Sequence, residues 1–286
     1  MGASAPLIDD SVEPIVLKKR TFLALLILII AWITNQTVLA WVHDRVPRSV
    51  NPLPDPWFSV FPEIPEAIRF TEVIMLVLIV SALGTAFCHR HKWIVARRIF
   101  FCAAMAYLFR AFCVSLLQVP VPSRHTYCSA QENATDLAIV YGRIVRTFWS
   151  LGIEQVRPRD LCGDLIVSGH TISIVISVLT LQYYSPRRTY LLGYLAKLLG
   201  LVAVICILLA RKHYSLDVVL GYFVASRIFW TYHSLQNSYH QNEFYRNDLS
   251  QSLWTKIIPY LEADAPTAAQ FVNHLNWPYS CPRRLY

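Results

Sequence analysis

The fold class is decided by one apolar stretch, TYLLGYLAKLLGLVAVICILLA at residues 189–210, in which Lys197 is the only charged side chain. A helix needs about 20 apolar residues to cross a bilayer, so this stretch is long enough to span one. The whole chain of 286 residues follows the same trend, with 55% hydrophobic and 15% charged residues. A soluble domain carries about 25% charged residues. The surplus apolar surface therefore predicts contact with lipid and excludes intrinsic disorder.

Five further apolar stretches of similar length occur along the chain. The six predicted spans are residues 21–42, 70–88, 99–118, 165–184, 189–210 and 214–232. We therefore predict an all-α, polytopic membrane protein with six transmembrane helices. Its predicted parts are an N-terminal tail (1–20), a transmembrane domain (21–232) that includes one long loop (119–164), and a C-terminal tail (233–286).

The positive charge is distributed as in a membrane protein, and no nucleic-acid partner is expected. The formal net charge is +8, and basic clusters such as Lys18-Lys19-Arg20, Arg97-Arg98 and Arg187-Arg188 flank the apolar stretches. An even number of spans places both termini on one side, and these clusters favour the cytosol for that side. The long loop is then lumenal or exoplasmic, where Asn133-Ala134-Thr135 is a glycosylation acceptor pattern.

Two cysteines of the seven, Cys128 and Cys162, fall in the long loop. If that loop is lumenal, it lies in an oxidising compartment where disulfides form and persist. A disulfide between these two residues would close much of the loop.

Three ionisable residues lie where a membrane-spanning helix tolerates them poorly. His213 and Asp217 are four residues apart at the start of the sixth span, so they share one helix face. His170, in Ser168-Gly169-His170-Thr171, begins the fourth span, which runs in the same direction as the sixth. The two histidines and the aspartate are therefore predicted to lie at similar depth on the lumenal or exoplasmic side.

This combination of side chains is typical of phosphoryl transfer. One histidine attacks phosphorus while a carboxylate orients its ring, and the other histidine protonates the departing oxygen. Gly169 allows close approach of the backbone, whose N–H groups can hold phosphate oxygens. Two alternatives remain, namely a pair of hydrogen-bonded histidines without chemistry and a metal site. For the metal site, the sequence shows no further obvious set of Asp, His or Cys ligands.

Other charged residues within or beside the spans have two interpretations each. Arg110 pairs either with Glu72 or with a lipid phosphate. Lys197 either has a structural role or tilts toward the interface. Arg211 and Lys212 either attract an anionic headgroup or form an ordinary basic flank.

Four stretches within residues 50–235 form a recognisable pattern. In order, they are Pro52-Leu-Pro-Asp55, Arg97-Arg98 to Arg110 with Pro120-Val-Pro122, Cys162-Gly-Asp-Leu-Ile-Val-Ser-Gly-His-Thr171, and His213-Tyr-Ser-Leu-Asp-Val-Val219 with Arg227-Ile-Phe-Trp230. Together they resemble the motifs of the sphingomyelin synthases, a family within the superfamily of lipid phosphatases and phosphotransferases, the type-2 phosphatidic acid phosphatases. The resemblance implies a PAP2-like helical core of six spans in the Golgi or plasma membrane, with its site on the lumenal or exoplasmic side.

The resemblance also implies an activity, the transfer of phosphocholine from phosphatidylcholine to the primary hydroxyl of ceramide, without metal or cofactor. The products are sphingomyelin and diacylglycerol. By analogy His213 is the nucleophile, Asp217 is its partner, and His170 is first the acid and then the base. The residues predicted to contact substrate are Ser168, Gly169, Asp164, Arg110 and Tyr214. Membrane lipids are thus the expected partners, and a homodimer is an open option.

Three other functions remain compatible with the sequence. Many members of the family carry an acidic residue where this chain has Lys212, which makes phosphatidylethanolamine an alternative donor. A lipid phosphatase would use the same three residues with water as acceptor, but Arg157-Pro158 lies too close to His170 to serve as its upstream arginine motif. A non-catalytic membrane protein would lose no chemistry when the histidines are changed.

Overall fold

The computed structural model describes residues 14–123, 125–132, 136–150, 161–267 and 270–275. The glycosylation pattern at Asn133 and the Arg157-Pro158 pair lie outside these residues. Within them the chain is all-α, and the extended structure is one isolated bridge between His89 and Leu275. The α-helices of this part of the chain are α1 (Pro14–Val42), α2 (Pro56–Val60), α3 (Ala67–Cys88), α4 (Lys92–Leu116), α5 (Leu137–Ser150), α6 (Gly169–Tyr184), α7 (Tyr190–Leu209), α8 (Ser215–His240) and α9 (Ile258–Glu262).

Six long helices run alternately between the two ends of the molecule. The end of the molecule that contains His170 and His213 is called the site end. The opposite end, where residues 244–267 and 270–275 pack, is called the tail end. Helices α1, α4 and α7 run toward the site end, whereas α3, α6 and α8 run away from it. This alternation places the first residues of α6 and α8 side by side, as the sequence predicts.

Four of the six long helices, α1, α3, α4 and α7, are long and apolar enough to cross a membrane. The other two predicted spans fall short of that standard in the part of the chain that the structure describes. α6 has only 16 residues, because residues 165–168 are not helical and Ile166 has a φ of 79°. α8 continues to His240, well beyond the predicted end at Tyr232, and carries Asp217 near its start.

The short helix α6 lies at the centre of the bundle. It packs against α3, α4, α7 and α8, and its Ile172, Val175 and Ile176 belong to the core shared with α4 and α8. A helix that other helices surround meets protein rather than lipid, and non-helical backbone is tolerated at membrane depth where it is buried in protein. The centre of the bundle can therefore hold the polar segment that precedes α6.

The long loop is fastened to the site end of α1. Cys128 and Cys162 form a disulfide with 5.7 Å between their Cα atoms. The imidazole of the buried His43 accepts a hydrogen bond at Nδ1 from the backbone N–H of Cys162, at 2.9 Å. Arg143 of α5 forms an ion pair with Asp44 at 2.8 Å. These contacts fix the chain just before the non-helical segment that leads into α6.

Removing the disulfide is expected to destabilise the fold, because it closes a loop with a sequence separation of 34. In the loop-entropy model such a crosslink contributes about 3 to 4 kcal/mol. The double variant Cys128→Ser/Cys162→Ser should therefore melt at a clearly lower temperature in detergent. Cys88→Ser, which changes a free and half-buried thiol, is the control. Equal melting temperatures for all three proteins would contradict this expectation.

The basic pair Arg97-Arg98 is not a solvated flank of α4, as its position at the start of a span suggested. Both side chains are buried and paired with the C-terminal segment. Arg98 binds Glu262 at 2.6 Å, and Arg97 binds Asp264 at 2.7 Å. Asp264 also pairs with Arg20 at 2.8 Å. The segment that follows α8 is thus fastened to α1 and α4 by buried ion pairs.

Candidate active site

A sharp turn between α7 and α8 delivers His213 to the site end. Arg211 adopts a left-handed conformation with φ of 48°, and its guanidinium donates to the carbonyls of Phe58 and Phe61 at 3.0 and 3.2 Å. The sequence left open whether Arg211 attracts a headgroup or forms an ordinary basic flank; in the structure it binds the backbone around α2. The chain reverses within residues 210–213, so His213 precedes the first turn of α8.

Asp217 connects His213 with the first turn of α8. Its Oδ2 accepts a hydrogen bond from the backbone N–H of Tyr214 at 3.0 Å, which caps the helix. The same oxygen lies 3.5 Å from Nδ1 of His213, and both side chains are buried. A carboxylate in this position fixes the imidazole ring and stabilises its protonated form. Because Nδ1 faces Asp217, Nε2 lies on the opposite side of the ring.

Asp217 also holds the segment that leads into α6. Its Oδ1 accepts from the N–H of Ile166 at 2.9 Å, and its backbone carbonyl accepts from the N–H of Ser168 at 3.1 Å. These bonds set the start of α6 against the start of α8. The rings of His170 and His213 consequently lie 5.9 Å apart, edge to face.

Gly221, which is not among the predicted site residues, permits this close approach of α6 and α8. A Cβ atom at Gly221 would lie 3.0 Å from the carbonyl oxygen of Ser168 and 3.0 Å from Cβ of Thr171. Since Gly221 follows Asp217 by four residues, it lies on the same helix face. That spacing is the signal by which the sequence could have revealed it.

A cleft at the site end is lined by the polar side chains of Thr126, Asp164, His170, Lys212 and His213. The other lining residues are Val121, Pro122, Leu161, Cys162, Gly163 and Leu165. A cleft lined by both polar and apolar residues suits a polar headgroup that carries hydrocarbon. Among the described residues, no group of three His, Cys, Asp or Glu side chains is arranged to hold a metal ion.

Arg110 binds the segment between the long loop and α6, which includes Asp164 of the cleft. It forms an ion pair with Asp164, donates to the amide oxygen of Asn35, and donates from Nε to the carbonyl of Val167 at 2.9 Å. The sequence suggested Glu72 or a lipid phosphate as the partner of Arg110, and the structure adds Asp164. A Cβ atom at Gly169 would lie 3.2 Å from Nε of Arg110, so the glycine there accommodates the guanidinium.

The predicted substrate contacts divide into two groups. Asp164 lines the cleft together with the two histidines. Ser168 is fully buried and caps α6, where its Oγ accepts from the N–H of Thr171 at 3.3 Å. The hydroxyl of Tyr214 donates to the carbonyl of Pro120 at 3.0 Å and accepts from the N–H of Leu53 at 3.0 Å. Ser168 and Tyr214 therefore organise the backbone around the cleft.

Asp55 is a further residue of the site end, and it was not among the predicted site residues. Its carboxylate accepts from the backbone N–H of Ser215 at 2.7 Å and from the Ser215 hydroxyl at 2.8 Å. It also caps α2 by accepting from the N–H of Trp57 at 2.9 Å. Asp55 thereby fixes the first residue of α8, two positions after His213.

Comparison with known proteins agrees with this geometry. Residues 161–234, which include both histidines and Asp217, match the family model described as PAP2 superfamily C-terminal. Over 258 residues the chain is 53% identical to sphingomyelin synthase-related 2 of Caenorhabditis elegans. It is also 36% identical to phosphatidylcholine:ceramide cholinephosphotransferase 1 of the same organism, and 31% identical to the Homo sapiens protein of that name.

These similarities extend over nearly the whole chain but not over all of each relative. They cover 90% of the chain for the first relative and 92% for the other two. The chain spans 78% of the length of the first relative, and 57% and 64% of the lengths of the two cholinephosphotransferases.

Proposed function

The chain belongs to the sphingomyelin synthase family, and on that basis we propose that it transfers phosphocholine from phosphatidylcholine to the primary hydroxyl of ceramide. The products are sphingomyelin and diacylglycerol. The observation that carries the proposal is that His170 and His213 line one cleft with their rings 5.9 Å apart, while Asp217 lies 3.5 Å from His213. Relatives named as cholinephosphotransferases, with 36% and 31% identity, support the choice of donor and acceptor.

The proposal includes a membrane topology of six spans, with α6 and α8 as the two spans in addition to α1, α3, α4 and α7. The alternating directions of the six helices support it, because they bring the start of α1 and the end of α8 to the tail end. The tail end then faces the cytosol. The cleft faces the lumen or the exterior, in the Golgi or the plasma membrane.

In the first chemical step, Nε2 of His213 attacks the phosphorus of phosphatidylcholine. A bond forms between nitrogen and phosphorus, and the bond between phosphorus and the diacylglycerol oxygen breaks. The protonated imidazole of His170 gives its proton to that oxygen, so that diacylglycerol leaves as a neutral alcohol. Asp217 holds the His213 ring through Nδ1 and stabilises the positive charge that it acquires.

In the second step, the now neutral His170 removes the proton from the primary hydroxyl of ceramide. The ceramide oxygen attacks phosphorus, the bond between His213 and phosphorus breaks, and sphingomyelin forms. His170 ends the cycle protonated and His213 ends it neutral, so both residues return to their initial states. Lys212 lines the cleft and supplies positive charge where the phosphoryl oxygens become more negative.

One observation favours a second donor, phosphatidylethanolamine. None of the described residues that line the cleft is Phe, Tyr or Trp. Quaternary ammonium groups are commonly recognised by aromatic rings, whereas a primary ammonium donates hydrogen bonds to a carboxylate such as Asp164. With this donor the same two steps would give ceramide phosphoethanolamine.

The donor is tested by expressing the chain in cells that lack the activity and isolating their membranes. Fluorescent short-chain ceramide is added with either phosphatidylcholine or phosphatidylethanolamine, and the lipids are separated by thin-layer chromatography. The proposal predicts a sphingomyelin spot with the choline donor. If only ceramide phosphoethanolamine forms, the donor is phosphatidylethanolamine and the proposed mechanism is unchanged. Phosphate release from phosphatidic acid without transfer to ceramide would identify a lipid phosphatase instead.

Asp55→Ala is expected to lower transfer by about 10- to 100-fold, because the first turn of α8, and His213 with it, loses its fixed position. The rate at saturating ceramide should fall, while the concentration of ceramide at half-maximal rate changes little. Asp136→Ala is the control, since Asp136 also caps a helix, α5, on the same side of the molecule. Transfer that stays at the wild-type rate in Asp55→Ala would rule out this positioning role.

A further inference from the structure

A second cavity lies at the tail end, far from the histidines. It is formed between the last turn of α6 and the first turns of α7. Its polar and aromatic lining residues are Gln182, Ser185, Arg187, Tyr190, Tyr194 and Lys197. The first of its lining residues on α6, Leu181, follows His170 by about three helical turns, so the cavity begins about 17 Å from His170 along the helix axis. It therefore forms no part of the cleft described above.

Lys197 occupies an unusual place for a charged residue. It is exposed on the surface of α7 among the exposed leucines Leu195, Leu198 and Leu201, on a helix apolar enough to span a membrane. Its Nζ lies 5.6 Å from the ring centre of Tyr194, three residues earlier. The side chain thus points back toward the start of α7, where Arg187 lines the same cavity.

The cations of this cavity have no acidic neighbour in the surrounding sequence. The chain contains no Asp or Glu between Asp164 and Asp217, a stretch that includes all of α6 and α7. Within the described residues, Ser185 offers a buried hydroxyl oxygen without a hydrogen-bond partner. Two cations and a hydroxyl that line one cavity beside a lipid-facing helix provide the groups that bind a phosphate.

We propose that this cavity binds the phosphate of an anionic phospholipid from the leaflet at the tail end. Arg187 and Lys197 contact the phosphate oxygens, and the Ser185 hydroxyl donates to one of them. The acyl chains extend along the exposed leucines of α7, which a free phosphate ion would leave uncovered. A zwitterionic choline headgroup fits less well, because it brings a positive ammonium next to two cations. The proposal is independent of the donor used at the histidine cleft.

Native mass spectrometry of the purified full-length protein tests the proposal. Dioleoylphosphatidylglycerol and dioleoylphosphatidylcholine, which have the same acyl chains, are titrated separately into the detergent solution. The expected result is one phosphatidylglycerol molecule bound in preference to phosphatidylcholine. The variant Arg187→Gln/Lys197→Gln should reduce that preference by about tenfold or more, since each cation near a membrane surface strengthens anionic-lipid binding several-fold.

Three further arms make the outcome decisive. Arg227→Gln removes an exposed cation of α8 that also lies over an aromatic ring but does not line the cavity, and should keep the preference. Arg187→Lys/Lys197→Arg keeps both charges and should also keep it. Inorganic phosphate should fail to displace phosphatidylglycerol. Equal binding of the two lipids, an unchanged preference in the glutamine variant, or displacement by inorganic phosphate would each overturn the proposal.

Discussion

Replacing His213 with alanine is expected to reduce headgroup transfer to ceramide by a factor of about 100 to 10,000. The variant loses the nitrogen that attacks phosphorus, while the cleft and His170 remain. The measurement is transfer to fluorescent ceramide in isolated membranes, corrected for the amount of protein. His125→Ala is the matched control, because His125 is an exposed histidine of the long loop and does not line the cleft. This control should transfer at the wild-type rate.

The buried position of His213 requires a second variant, because alanine there also removes packing. His213→Gln keeps most of the side-chain volume and a polar end, but it cannot form the bond to phosphorus. It should be as inactive as His213→Ala and should melt close to the wild-type temperature. Substantial transfer by well-folded His213→Gln would exclude His213 as the nucleophile.

Replacing Glu262 with alanine is expected to destabilise the protein by about 3 to 5 kcal/mol, because it leaves the buried charge of Arg98 without its partner. The Tyr232 hydroxyl, which donates to Glu262 at 2.7 Å, loses its acceptor as well. For a chain of this size the melting temperature should fall by on the order of 10 °C. The exposed pair of Glu243 and Arg246 is the matched comparison, and Glu243→Ala should have little effect.

Two further measurements separate this ion pair from a general loss of packing at the tail end. The double variant Arg98→Met/Glu262→Met removes both charges and should recover much of the stability. Acid is the other probe. Burial alone would raise the pKa of the Glu262 carboxyl, but the charge of Arg98, the nearby imidazole of His240 and the hydrogen bonds from Arg98 hold that pKa well below its ordinary value of 4.5.

A depressed carboxyl pKa has a definite consequence for stability. The contribution of Glu262 is fully present above pH 4.5 and is lost as the pH falls below that value. Glu262→Ala should therefore show a weaker loss of stability in acid than the wild type. If Glu262→Ala melts at the wild-type temperature at pH 7, the ion pair of Arg98 and Glu262 does not hold the C-terminal segment in place.

The sequence predicts the long helices because their apolar stretches are local features. Residues 189–210 and the other five stretches correspond to the six long helices, four of which meet the standard for a membrane span. The helix α6 begins later than the sequence predicts, because the N–H groups of Ile166 and Ser168 donate hydrogen bonds to Asp217, about 50 positions away in the chain. No local pattern contains that information.

The same distinction applies to the charged residues. His170, His213 and Asp217 could be brought together from the sequence, since the number of spans fixes which helix ends meet. The partners of Arg98 and Arg110 could not, because Glu262 and Asp164 are distant in sequence and reach them only through tertiary packing. Asp55 lies in the motif Pro52-Leu-Pro-Asp55, but its role depends on a contact with Ser215, 160 positions away in the chain.

The most direct test of the proposed mechanism is to look for the donor's phosphate-containing headgroup bound covalently to His213. Purified protein is incubated without ceramide and with the donor that supports transfer, labelled with ³²P in its phosphate. The protein is then kept in base, where a bond between phosphorus and histidine survives, and digested for mass spectrometry. We predict an acid-labile label on the peptide that contains His213, an equal amount of diacylglycerol, and transfer of the label to ceramide when ceramide is added. Normal transfer with no labelled peptide, and diacylglycerol released only when ceramide is present, would contradict the role of His213.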